Sequence, residues 1–109
     1  MPDKVIVFVT CEREQATEIS EVVVGEKLAA CVNVVSGVQS CYLWEGKMTW
    51  ADEVLLVIKT TRERYDSLEA QIKAIHRYEV PEIVSVAITD GLEKYLEWID
   101  LSTITIRGQ

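Results

Sequence analysis

The order in which strand-like and helix-like patterns follow one another limits the folds open to this chain. Residues 5–9 are five successive apolar residues, mostly β-branched, as expected for a central strand covered on both faces. Thr10 ends this strand, and apolar residues then recur at helical spacing through Ile19, Val22 and Val23. The chain is therefore predicted to begin with a strand followed by a helix.

The middle of the chain predicts antiparallel strands joined by tight turns. Strand-like sequence covers 30–35 and 38–44, and Ser36-Gly37 between them is typical of a bulge or a turn. Glu45-Gly46-Lys47 supplies a reversal before the strand-like run 54–58. We expect a meander of two or three long strands here.

The second half of the chain repeats the helix and strand patterns. Thr60 and Glu63 have the spacing of a capping box, and the apolar residues after them follow a 3.6-residue period. Pro81 prevents that helix from continuing, and a strand at 83–88 follows. After the turn signal Asp90-Gly91, a short amphipathic helix is predicted.

This order predicts an α+β fold of the ferredoxin-like type, a split βαβ arrangement. It has an antiparallel sheet with helices on one face, plus a short C-terminal helix, in a single domain over 1–109. Two helices would cover one sheet face, so apolar side chains on the other face need a different cover. We expect an interface with another subunit to provide this cover, and we expect Tyr42, Trp44 and Trp50 to anchor that interface.

Charge and hydropathy exclude two classes of partner. The formal net charge of −7, without clustered Lys or Arg, argues against nucleic-acid binding and favours cations as small partners. No apolar stretch approaches the roughly 20 residues that span a bilayer, so we expect no membrane insertion. No secretory signal pattern precedes the first strand, which predicts a cytoplasmic protein.

The stretch from His76 to Ile83 holds the best candidates for binding chemistry. It combines the one histidine of the chain with Tyr78, Glu79 and Glu82 at a helix-to-strand turn, a place where functional groups often lie. The competing interpretation is structural, because a histidine at a helix C-terminus can cap free carbonyls, and the helix dipole there favours its protonated form.

Five motifs in order along the chain resemble the CutA family of divalent-cation tolerance proteins. They are LAACVN at 28–33, YLWEGK at 42–47, VLLVIKTT at 54–61, YEVPEI at 78–83 and YLEWI at 95–99. The resemblance implies a ferredoxin-like subunit in a tight cytoplasmic homotrimer, linked to tolerance of copper and other divalent metals.

The chain departs from the family pattern at two places. Arg77 stands where the family usually has a proline after the histidine, and a positive charge at that position disfavours cation binding. Thr10-Cys11 runs directly into Glu12 without the usual proline, so Cys11 matches the family cysteine only approximately.

These residues predict a metal site made of His76, Cys11 and Glu79, with Glu82 as a further candidate. Imidazole and thiolate are ligands suited to copper and zinc, although a Cu(I) site would normally need at least two soft donors. The predicted cofactor is copper or another divalent metal ion, with no organic cofactor.

No recognisable catalytic set is present in the sequence, so we expect a protein that is not an enzyme. The alternative function is a regulatory or scaffolding trimer. It would bind a small metabolite or a protein partner at clefts between subunits, without a direct metal function.

Overall fold

The computed structural model describes residues 3–104, which form one four-stranded antiparallel sheet and three helices. The elements are β1 Lys4–Cys11, α1 Arg13–Gly25, β2 Cys31–Trp44, β3 Lys47–Thr61, α2 Arg62–Ile75, β4 Ile83–Ala87 and α3 Glu93–Thr103. The strand order is β2-β3-β1-β4, with each neighbouring pair antiparallel. The predicted α+β, ferredoxin-like fold is confirmed.

The core lies between one face of the sheet and helices α1 and α2. Alternate residues of β1 and β3 are buried against side chains of the helices, as the two-residue period of a strand requires. β1 lies inside the sheet as predicted, but Ile6 and Phe8 on its other face are only partly buried. The expectation that β1 is covered on both faces is therefore wrong within this single chain.

Strands β2 and β3 form one long hairpin. They pair from Cys31 and Lys59 at the base to Trp44 and Lys47 at the turn, so the middle of the chain contains two strands and not three. The pairing shifts between Val35 and Val38, which confirms the predicted bulge. Glu45 and Gly46 both have positive φ angles, 49° and 80°, as in a tight primed hairpin turn.

Helix α2 begins and ends differently from the prediction. Thr61, and not Thr60, is the N-cap residue, and its hydroxyl accepts a hydrogen bond from the Arg64 N–H at 3.2 Å. Thr60 points into the core and donates to the Leu28 carbonyl at 2.6 Å. The helix ends at Ile75, well before Pro81, so the proline does not cause its termination.

Helix α3 lies against β3, with Ile99 and Thr103 buried. Asp100 pairs with Lys4 at 2.7 Å, at the start of β1. The apolar side chains that the sheet presents away from α1 and α2 remain partly exposed in the chain, with Val84 and Val86 at 50% and 49%. Across residues 3–104, no helix has the length and apolar character needed to span a membrane.

Candidate functional site

The connection between α2 and β4, residues 76–82, packs against the end of β1 and is called the junction segment here. It follows α2 directly and carries most of the polar groups that the sequence singled out. Its position is fixed by hydrogen bonds to β1, α1 and β3. These three anchors hold the segment in place although it has no regular secondary structure of its own.

His76 is buried, and both of its ring nitrogens are engaged by backbone groups. Nε2 lies 2.8 Å from the Thr10 carbonyl, and Nδ1 accepts a hydrogen bond from the Tyr78 N–H at 3.1 Å. A carbonyl can only accept and an N–H can only donate, so the ring is neutral with its proton on Nε2. The interpretation of His76 as a protonated cap of its own helix is therefore wrong, because its ring bonds to the Thr10 carbonyl of β1.

Gln15, on α1, fixes the backbone on both sides of His76. Its Nε2 donates to the Ile75 carbonyl at 2.8 Å, and its Oε1 accepts from the Arg77 N–H at 2.9 Å. The side chain is 1% exposed, so water cannot replace it without a rearrangement. The entry into the junction segment is consequently tied to α1 on both sides of His76.

Tyr78 connects the junction segment to β3. Its hydroxyl donates to Glu53 Oε2 at 2.8 Å, and its ring lies 4.7 Å from the His76 ring, centroid to centroid. Burial, then the bond to Glu53, raises the pKa of the Tyr78 phenol above its usual range. Tyr78 therefore acts as a hydrogen-bond donor at neutral pH.

A groove with a volume of about 550 Å³ opens between the junction segment and the hairpin. Tyr42, Trp44 and Tyr78 supply aromatic surface, and Glu53, Glu79 and Glu82 supply carboxylates. Its remaining lining residues are Thr10, Thr49 and Val80. Aromatic faces and carboxylates both attract cations, so the groove is suited to a positively charged ligand.

Cys11 lies at the end of β1 on the helix-covered face and is fully buried. Burial, followed by the negative charges of Glu53 and Glu12, raises the pKa of its thiol to about 11. The thiolate is the form that binds metals and attacks electrophiles, so Cys11 is held in an unreactive state at neutral pH.

Arg77, which replaces the usual family proline, points to the surface. Its Nη1 lies 3.2 Å from Glu12 Oε1, and both side chains are about half exposed. An exposed pair of this kind contributes little stability, but Glu12 partly neutralises the charge that was expected to oppose a cation.

The predicted ligands lie in one neighbourhood, but they do not form a ready-made metal centre. His76 bonds to the residue before Cys11, and Glu79 lines the groove with Thr10. Within residues 3–104, no three histidine, cysteine or acidic side chains converge closely enough to hold a metal ion. Glu79 is exposed and fits a cation as it stands. His76 has no free lone pair and Cys11 no thiolate, so neither fits one without rearrangement.

Two residues that shape the site were absent from the sequence-based prediction. Gln15 had a detectable signal, because it is a polar residue four positions before Ile19 on the apolar side of α1. A polar side chain there needs a buried partner. Glu53 had no such signal, because its partner Tyr78 is far away in sequence and only the fold brings the two together.

Comparison with known proteins gives a consistent result. The family model described as CutA1 divalent ion tolerance protein matches residues 5–102. Protein CutA, chloroplastic, of Arabidopsis thaliana is 45% identical over 100 residues, which are 91% of this chain and 55% of that protein. The chain thus spans about half the length of this relative.

Solved structures agree with this match. The crystal structure of CutA1 from Oryza sativa superimposes with a TM-score of 0.92 at 42% identity, covering 94% of this chain and 95% of that one. A protein from Archaeoglobus fulgidus, named periplasmic divalent cation tolerance protein CutA, gives a TM-score of 0.89 at 33% identity. That alignment covers 93% of this chain and 99% of the other.

Proposed function

Because this chain belongs to the CutA1 divalent ion tolerance protein family, we propose that it is a cytoplasmic homotrimer that binds copper or other divalent metal ions. The observation that carries the proposal is the groove between the junction segment and the hairpin, where three glutamates stand beside aromatic side chains.

Among the groove residues, Glu79 is the proposed direct contact for the ion. Glu79 is exposed and lines the groove. Carboxylate oxygens are suitable donors for divalent cations. Glu82, already a candidate from the sequence, lines the same groove. Residues of a neighbouring subunit would complete the coordination that one chain lacks.

His76 and Cys11 have a different place in this proposal. The His76 ring is tied to the backbone at both nitrogens, so its ligation of a metal requires release of the Tyr78 N–H or of the Thr10 carbonyl. Cys11 would have to lose its proton in a buried site. In the arrangement described here, His76 holds the junction segment in the position that presents Glu79, and Cys11 is a buried residue of the core.

The trimer is supported by the sheet face that α1 and α2 leave open. On that face, Val84 of β4 is paired with Phe8 of β1, and Val86 of β4 is paired with Ile6. Apolar side chains in adjacent strands form a continuous patch, which favours association with another copy of the chain. The cytoplasmic location is proposed from the sequence alone. The names of relatives do not supply a location, because they include chloroplastic and periplasmic proteins.

The proposed role is binding and not catalysis. Two groups near the groove, the Cys11 thiol and the Tyr78 phenol, have raised pKa values and remain protonated near neutral pH. A protonated thiol or phenol is a poor nucleophile. These groups therefore do not supply an activated attacking atom.

Calorimetric titration of the reduced protein with Cu²⁺ or Zn²⁺ tests the proposal. Glu79→Gln should weaken binding at least tenfold, whereas Glu21→Gln, on the exposed side of α1, should leave it unchanged. Equal affinity of Glu79→Gln and wild type would overturn the role of Glu79. His76→Ala and Cys11→Ser belong in the same series, because unchanged affinity in both would remove them from the ligand set.

The size and lining of the groove also favour the second candidate function, a regulatory trimer that binds a small metabolite. A volume of about 550 Å³ lies within the range of small-molecule sites. A native mass spectrum of protein from cell extract would show a bound organic molecule, lost in Trp44→Ala. A spectrum with no added mass would count against this candidate.

A further inference from the structure

The junction segment has a backbone N–H at position 77 that a proline would lack. Arg77 stands where the family usually has a proline, and proline has no backbone N–H. In this chain, the Arg77 N–H donates to Gln15 Oε1 at 2.9 Å. Gln15 lies on α1 and is 1% exposed, so this bond is made inside the molecule. A buried side chain of another element thus satisfies the N–H that the arginine brings to the segment.

The same amide also holds the backbone before His76. Gln15 Nε2 donates to the Ile75 carbonyl at 2.8 Å. The donor and the acceptor of one amide lie in one rigid plane, so the two bonds fix Ile75 and Arg77 relative to each other. They restrict the backbone around His76 by hydrogen bonding, whereas a proline at position 77 would restrict it through the fixed φ angle of its ring.

The backbone at His76 is compatible with a proline as the next residue. His76 has a φ of −71° and a ψ of 138°, which is an extended conformation. Steric contact with the proline ring directs the preceding residue to this extended region. His76 therefore has the conformation that a proline at position 77 favours, although an arginine follows it in this chain.

We infer that Gln15 is a positioning residue for ligand binding in the groove, where its two hydrogen bonds supply the constraint that a proline at position 77 would supply. The inference rests on the proposed role of Glu79, which follows Arg77 by two residues in a segment without regular secondary structure. Gln15 acts through the backbone and not by contact with the ligand. Because Gln15 is buried within the chain, this role does not depend on which surfaces meet in an assembly.

The test removes the Gln15 amide in two matched backgrounds. Arg77→Ala and Arg77→Pro both remove the guanidinium charge, but only the proline removes the N–H and fixes φ. Gln15→Met should therefore loosen the junction segment when alanine is at position 77 and have a much smaller effect when proline is there. Circular dichroism checks that each variant is folded. The comparison of the two single variants at position 77, which is exposed, leaves the core unchanged.

Hydrogen exchange followed by NMR on the metal-free protein measures the constraint directly. The reporter is the Tyr78 N–H, which donates to His76 Nδ1 and not to Gln15. Gln15→Met should speed its exchange about tenfold with alanine at position 77, because buried backbone groups lose their partner. With proline at position 77, the Tyr78 N–H should keep most of its protection, and Arg77→Pro alone should protect it at least as well as Arg77→Ala.

Titration with Zn²⁺ measures the consequence for binding. Gln15→Met should weaken Zn²⁺ affinity about tenfold with alanine at position 77, as expected for a group that orients a ligand, and less with proline there. Ile99→Val is the control for a general loss of stability. It removes a buried methyl group of α3, which lies at the opposite end of β1, where Asp100 pairs with Lys4. Its Zn²⁺ affinity should stay within about twofold of wild type.

The outcomes separate this inference from the proposed function. Loss of Zn²⁺ affinity in Glu79→Gln, with no change of affinity or of Tyr78 exchange in Gln15→Met, would overturn the inference alone. Equal effects of Gln15→Met in the two backgrounds would also overturn it. Absence of Zn²⁺ binding in wild type would overturn the proposed function, and the exchange rates would still decide whether Gln15 holds the segment.

Discussion

Gln15 shows how much one buried polar side chain can determine. It satisfies a carbonyl and an N–H that lie on either side of His76, and it does so from a different element of the chain. Because each of these backbone groups would be left unpaired without it, the geometry of the junction segment depends on α1.

Gln15→Met keeps the size of the side chain but removes both hydrogen bonds. We expect it to lower the free energy of unfolding by about 2 kcal/mol, since two part-buried backbone groups lose their partners. Urea denaturation measures the change. Thr17→Ala, at an exposed position of the same helix, is the control and should change stability by less than about 0.5 kcal/mol. Equal stability of Gln15→Met and wild type would show that water replaces the amide.

Cys11 predicts a specific dependence of stability on alkaline pH. Its folded pKa, about 11, lies above the ordinary value of 9.0, so the folded state holds the proton more tightly than the unfolded state. The contribution of the protonated thiol to folding stability is complete below pH 9 and is lost as the pH rises towards 11. A shift of this size corresponds to at most about 3 kcal/mol.

Unfolding free energies of wild type and Cys11→Ala, measured from pH 8 to 11, test this dependence. The tyrosines titrate in both proteins, so the difference between the two curves isolates the thiol. The curves should converge as the pH rises. Parallel curves over that range would contradict the raised pKa of Cys11.

At the residue scale, the sequence identified a cluster of candidate residues but did not reveal the state of its groups. The cluster of His76, Tyr78 and Glu79 at a helix-to-strand connection was visible in the sequence, and the structure places it beside a groove. The tautomer of His76 was not predictable, because the Thr10 carbonyl and the Tyr78 N–H that fix it reach the ring only through the fold.

Among the elements, the hairpin depends most on the conformation of single residues. Its turn requires positive φ at two successive residues, and Gly46 has a φ of 80°. A residue with a Cβ in the left-handed region is disfavoured by roughly 1 to 2 kcal/mol.

Gly46→Ala should therefore lower the free energy of unfolding by about 1 kcal/mol, although no atom lies within 4 Å of the added Cβ. Gly25→Ala is a matched control, because its position is equally open and its φ is not in the left-handed region. Gly25→Ala should be neutral or slightly stabilising, since alanine favours the end of α1. A thermal unfolding series that gives both variants the same stability would argue against backbone strain as the cause.

Element types were predictable from periodicity, and element ends were less so. The bulge at Ser36-Gly37 follows from glycine placement, whereas the strand predicted at 54–58 extends over Lys47–Thr61 in the structure. The N-cap was assigned one residue early, because Thr60 and Thr61 are chemically alike and only the direction of the side chain separates them. Thr60 faces the core and Thr61 faces the helix start.

For the whole molecule, the open sheet face is the feature that calls for a partner subunit. Val86→Glu places a charge on that face, and Val24→Glu places the same charge on α1, on the opposite side of the sheet. The two valines are similarly exposed in the single chain, at 49% and 42%.

Sedimentation velocity should give a trimer for wild type and for Val24→Glu, and smaller species for Val86→Glu. A charge buried without a partner costs several kcal/mol at an interface, on the order of 3 to 5. A trimeric Val86→Glu would show that this face is open to solvent in the assembly.

The fold as a whole was the most predictable level. The succession of strand, helix, hairpin, helix and strand admits few arrangements, and short connections bring β1 between β3 and β4. Association between copies of the chain was not open to the same reasoning, because an exposed valine in β4 has the same sequence pattern whether it meets water or another chain.

The bond between Tyr78 and Glu53 joins two walls of the groove that are otherwise anchored separately. One wall belongs to the hairpin and the other to the junction segment, which Gln15 and Thr10 hold to the core. A neighbouring chain that packs against the hairpin and fixes its position would thus also fix the width of the groove. If contact between chains changes the affinity of the groove for a ligand, the ligand changes the affinity between the chains by the same free energy. Ligand binding in the groove and assembly of the chains would then be coupled equilibria.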